Sequence, residues 1–92
     1  GGTAREWALR AAASSVRRLA PEEAEQLYRA ALELPDPWTD GDGPCRTRLD
    51  LARACALAGD LDGAVAAAVG AADLARPDRP DLLAEAALAV EP

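Results

Sequence analysis

Lysine, histidine, phenylalanine, methionine and isoleucine are all missing from this 92-residue chain. Without histidine or lysine the usual general bases are absent, as are the lysine of a phosphate-binding loop and that of a Schiff base. Ser14 and Ser15 have no base near them in sequence, so the chain is not expected to be an enzyme. Aromatic residues are scarce: Trp7, Tyr28 and Trp38 are the full set. Half of the residues are hydrophobic, but most of these are alanine. A core built from them depends on close helix approach rather than on bulky side chains. No run nears the length of an uninterrupted apolar bilayer span. Two cysteines, Cys45 and Cys55, suffice for neither a disulfide framework nor a metal centre. On one helix they would lie ~15 Å apart along its axis, too far to bridge. Reduced thiols fit a cytoplasmic protein, and no cofactor or metal is expected.

All ten basic residues are arginine, and the net charge is −6. An acidic domain is repelled by phosphate backbones, so nucleic acid and anionic membranes are poor partners. The chain opens on Gly1-Gly2 without a methionine or a signal peptide. It reads as a piece of something longer, with the two glycines compatible with a tag remnant.

What is present points to helices. Thr3, with Glu6 three residues later, has the pattern of a capping box opening a helix that runs to about Leu19. Pro21, followed by Glu22 and Glu23, opens a second helix. Its residues Ala24, Leu27, Tyr28, Ala31 and Leu34 share one face, and Pro35 and Pro37 end it. The stretch PDPWTDGDGP (35–44) is too rich in Pro, Gly and Asp for a regular element. It is not a calcium loop either: the twelfth residue from Asp36 is Thr47 and from Asp40 is Leu51, neither a bidentate Glu. Trp38 within it either folds back over the helix ends or stands out as a contact, and packing is the favoured reading.

A third helix starts near Pro44 or Cys45 and reaches Ala58. In LAGDLDGAV (57–65), Gly59 suits the left-handed residue after a helix, while Asp60 and Asp62 suit the cap of the next. A stop followed at once by a start requires two antiparallel helices joined by a tight turn. The fourth helix carries Ala64, Ala67, Ala68, Ala71 and Ala75 on one face and ends at Pro77. A fifth begins near Asp78 and Pro80 and holds Leu82, Leu83, Ala86, Ala87 and Val90.

Residues 22–35 align with 62–75 at a constant offset of forty, pairing Ala24 with Ala64, Tyr28 with Ala68, Ala31 with Ala71 and Leu34 with Leu74. Removing about six residues of the 35–44 loop brings the period to ~34. At that period the unit 45–78 resembles a tetratricopeptide repeat. Ala52 stands at the family's small residue in helix A, Gly59-Asp60 at its turn, and Ala64 and Ala71 at its small helix-B positions. Pro77 lies beside its terminal proline. Arg48, Cys55 and Ala68 depart from the Trp, Tyr and larger residue usual there. The first hairpin, within 3–38, is more degenerate: Trp7 falls one place early, and Ala20-Pro21 replaces the turn. Residues 39–44 are loop, and 79–92 would begin a truncated third unit.

The text of 51–92 is also similar to the start of the helical-repeat region in large actinobacterial LuxR-type regulators. In those, an ATPase module precedes the repeats and a helix-turn-helix follows them. These resemblances imply an all-α fold of antiparallel helical hairpins stacked as a short α-solenoid of about five helices. The function implied is a protein-interaction or interdomain scaffold segment of a larger bacterial transcriptional regulator. Its partners would be a protein segment or other domains of the parent chain. Homodimerisation through an apolar strip at the terminal helix is a further expectation.

In the family, helix-A residues line the groove that holds partner segments. The equivalent positions are Arg46, Leu49, Arg53 and Ala56 in the second unit and Glu6, Leu9, Ala13 and Arg17 in the first. Arg46 and Arg53 could clamp a carboxylate, though the asparagines of the family's carboxylate-clamp variety are lacking. The alternative is that these arginines pair with neighbouring acids and serve solubility. A different reading of the whole chain is a small helical bundle that senses an apolar effector in its core.

Overall fold

The computed structural model describes residues 3–35, 37–38, 41–74, 80–81 and 84. Among them are four helices and no strand: α1 (Ala4–Arg17), α2 (Pro21–Glu33), α3 (Gly43–Ala58) and α4 (Leu61–Leu74). The segment read as a fifth helix lies largely outside the described residues. None of the described helices is long and apolar enough to cross a membrane.

Local chemistry accounts for each boundary. The hydroxyl of Thr3 accepts from the Glu6 amide at 3.1 Å, and the Glu6 carboxylate accepts from the Thr3 amide at 3.2 Å. This reciprocal box starts α1. Pro21, which lacks an N–H, occupies the first turn of α2, where that group would have no helical partner. Gly43 and Pro44 belong to α3, so the loop is shorter than its composition suggests. Gly43 is required for space: a Cβ there would lie 2.6 Å from Cε3 of Trp38.

Of the three connections, those after α1 and after α3 are built alike. After α3, the Gly59 amide donates to Ala56 at 3.1 Å and the Asp60 amide to Cys55 at 2.8 Å. After α1, the Leu19 amide donates to Val16 at 3.1 Å and the Ala20 amide to Ser15 at 2.8 Å. Both are Schellman closures, and both turn on a left-handed residue: Gly59 at φ 86° and Leu19 at φ 60°. Asp60 then caps α4 by accepting from the Gly63 amide at 2.9 Å.

Leu19 is a poor occupant of that conformation, which costs an L-residue about 1–2 kcal/mol. Its side chain, 88% exposed, gives nothing in return. Leu19→Gly is therefore expected to stabilise the fold by about 0.5–1 kcal/mol after the extra chain entropy of glycine is subtracted. Gly59→Ala should destabilise by about 1 kcal/mol. Thermal melts of the two variants check both signs.

The same offset of forty residues extends into the packing. The Arg5 guanidinium, at the start of α1, donates through Nε to the Ala31 carbonyl in α2 at 3.1 Å. Forty residues on, the Cys45 thiol donates to the Ala71 carbonyl in α4 at 3.2 Å. The start of α1 thus lies against the end of α2, and the start of α3 against the end of α4. Ala12 and Ala52, Ser15 and Cys55, Ala24 and Ala64, Ala31 and Ala71 are all buried as pairs. Successive helices pack α1 on α2, α2 on α3 and α3 on α4. One core cluster joins Ala12, Ala24 and Tyr28 to Leu51, Cys55 and Ala68. With a methyl group as the usual filler, backbones must approach closely to exclude water.

Candidate functional site

A trough opens between α1 and α3, with Tyr28 of α2 as its floor. Its larger part is a cavity of about 310 Å³. Glu6, Leu9 and Ala13 line it from α1, Arg46, Thr47 and Asp50 from α3, and Trp38 closes one end. A second cavity of about 250 Å³ continues from it, sharing Ala13, Tyr28 and Asp50 and adding Val16, Arg17 and Arg53. Residues at the helical spacing 46, 50 and 53 thus point to one side of α3.

The groove positions expected from sequence divide. Glu6, Leu9, Ala13, Arg17, Arg46 and Arg53 line the trough. Leu49 does not: it is buried at 2% exposure with Cys45 and Ala71, on the side of α3 that faces α4. The reason is helical geometry, since residue 49 lies one turn beyond Cys45 and shares its face. Ala56 is exposed and borders neither cavity.

The charge in the trough is mixed, with arginine in excess. Arg53 pairs with Asp50 at 3.3 Å, both largely exposed. No ion pair among the described residues engages Arg17 or Arg46. On the floor, burial raises the pKa of the Tyr28 phenol and Asp50 raises it further, while Arg53 and Arg17 pull it down. Tyr28 therefore stays a neutral hydroxyl through physiological pH and presents a polar group to a mostly apolar trough.

Arg5 is the residue that sequence reasoning missed. It is 5% exposed and gathers the end of α2: besides Ala31, it donates to Leu34 at 2.8 Å and to Pro37 at 3.2 Å. Its guanidinium carbon lies 4.0 Å from the centre of the Trp38 ring. Trp38 folds back, half-buried, over Arg5 and the first turn of α3. One arginine thus satisfies the free carbonyls at a helix end and holds the tryptophan that walls the trough.

A second cluster lies on the other side of α2, where ligand atoms of Glu25, Cys55 and Asp60 fall within 4.8 Å of one another. The Arg29 guanidinium already serves it: 3.1 Å from Glu25, 3.6 Å from Asp60 and 3.7 Å from the Cys55 sulfur. Burial, followed by the neighbouring Glu25 carboxylate, pushes the Cys55 thiol up to about 12. A protonated thiol is not a nucleophile, and the contacts of Arg29 with all three groups join α2 to α3.

The raised thiol has a measurable consequence. The unfolded chain releases this proton near pH 9, whereas the folded one holds it to about 12. Above pH 9 the folded state binds more protons, so stability must fall as pH rises through this window. Tyr28 acts with the same sign from pH 10 upward. In melts from pH 8 to 11, Cys55→Ala should flatten the decline, leaving the later contribution of Tyr28.

No family model matches the chain, and no curated protein or solved structure matches it either.

Proposed function

We propose that this chain is a segment of a tetratricopeptide-like α-solenoid whose trough holds an extended, acidic protein segment, with no catalysis of its own. Antiparallel pairs α1/α2 and α3/α4, repeating at an offset of forty residues, are the units of that stack. One observation carries the binding role: Arg17, Arg46 and Arg53 converge from two helices on a trough floored by Tyr28. Arg17 and Arg46 stand there without acidic partners among the described residues, in a chain of net charge −6. Guanidinium groups bind carboxylates bidentately and supply both affinity and register. The remaining apolar lining suits alternate side chains of the bound segment. Placement within a larger bacterial transcriptional regulator rests on the wording of residues 51–92 alone. A soluble, intracellular setting follows from that placement.

A Glu-Ala copolymer peptide of about ten residues serves as the probe, with Trp38 fluorescence as the signal. Saturable binding is expected, weakened roughly tenfold by Arg46→Ala with Arg53→Ala and progressively by salt. Equal response to a Lys-Ala peptide, or binding indifferent to those two substitutions, would refute the reading.

A further inference from the structure

The forty-residue register identifies two faces that the described helices leave uncovered. On α2, Glu25 and Arg29 form the side that meets α3, through Cys55 and Asp60. Forty positions on, the same side of α4 carries Val65 and Val69, 47% and 50% exposed, with Leu61 a turn earlier at 68%. On α3, Leu51 and Ala54 are buried in the cluster that holds Ala24 and Tyr28 of α2, and Thr47, one turn before Leu51, is buried beside the trough. Forty positions back, α1 carries Trp7, Ala11 and Ser14, and Trp7 is 67% exposed where Thr47 is 4%. Each face has the residue spacing of an interface already made once inside the molecule.

Their chemistry is complementary. The α1 stripe is flanked by Arg10, one turn from both Trp7 and Ser14, and α1 as a whole carries three arginines against the single acid Glu6. The α4 stripe is flanked by Asp62 and Asp73, and α4 carries no basic residue. An indole set against two valines and a leucine, with arginine facing aspartate at the margins, fits an anchored apolar patch with a charged rim.

We infer that a second copy of this chain docks its α1 face on the α4 face of the first, repeating the α2–α3 packing from one molecule to the next. Such a contact is heterologous: each copy keeps one free face of each kind, so association continues head to tail without closing. It uses the outer sides of α1 and α4 and leaves the trough free, so it stands or falls separately from peptide binding.

Sedimentation equilibrium on the 92-residue chain tests this, with far-UV circular dichroism confirming that every variant keeps its helices. Between about 10 µM and 1 mM the average mass should climb past that of a dimer without a plateau. Trp7→Glu removes the α1 face, and Val65→Glu with Val69→Glu removes the α4 face, so each variant alone should stay monomeric. Mixed in equal amounts, they retain one face of each kind and should form a dimer that grows no further. Arg10→Asp, at an exposed site, should weaken association about threefold or more, and added salt should weaken the wild type. A wild-type monomer at 1 mM would overturn the inference and would fit an α4 stripe covered from within the chain. Self-association of either variant alone, or a mixture that stays monomeric, would overturn it as well.

Discussion

Replacing Arg5 by methionine is expected to lower stability by about 3 kcal/mol, enough to shift the melting temperature by about 15 °C in a domain of this size. Methionine preserves most of the apolar bulk of the side chain and removes all of its donors. Three carbonyls, of Ala31, Leu34 and Pro37, lose their partner together. The Ala31 bond is buried, so water does not replace it, whereas the other two are partly accessible and recover in part. A hydrogen bond from a charged donor contributes about 1.5–3 kcal/mol, and an unpaired buried carbonyl costs about 1–3 kcal/mol. Even partial recovery therefore leaves a loss large beside the 5–15 kcal/mol typical of a whole domain. The Trp38 ring also loses its cation, so its near-ultraviolet dichroism should fade before the helices melt. Arg5→Lys, with three donors on one atom, cannot span the three carbonyls and should recover less than half of the loss. Unchanged melts for both variants would show that the contact carries no weight.

Ala24→Leu should be nearly as damaging, at about 3 kcal/mol. Ala24 is fully buried in the core cluster beside Ala12 and Tyr28. Leucine has almost the helix propensity of alanine, so the change acts through volume alone. Added methylenes in a tight core typically cost about 1–3 kcal/mol, and more where the neighbour is backbone that cannot step aside. Ala66→Leu, on the exposed side of α4, adds the same volume where there is room and should change stability by less than about 0.5 kcal/mol. Chemical denaturation of the pair separates close packing from propensity. If both are neutral, the helices do not approach as an alanine-filled core demands.

Elements written in residue types were readable from the chain. Thr3 with Glu6, Pro21 with two glutamates, and Gly59 with Asp60 each place a backbone need and its chemical answer within four residues. The turn after α1 has no such wording. Leu19 holds the left-handed position and the closure is made by backbone groups alone, so only the analogy with Gly59 pointed there. Arg17, Arg46 and Arg53 come from the groove register that the repeat resemblance implies, and all three line the trough. Leu49 belongs to the same register but lies one turn beyond Cys45, so it shares the face that packs on Ala71 of α4 and not the trough. Arg5 was invisible for a different reason. An arginine in the first turn of a helix reads as solvated, and its three acceptors lie 26 to 32 residues away.

The repeat at an offset of forty residues supports every proposal made for the trough and for the two outer faces. Its most direct test is a nuclear Overhauser spectrum of the labelled protein in solution. Cross-peaks are expected from the Arg5 side chain to the Ala31 methyl and, in the same pattern, from the Cys45 β-protons to the Ala71 methyl. Both should accompany left-handed coupling constants at Leu19 and Gly59. The loss of either long-range pair, or a helix running unbroken through Leu19, would contradict the common register.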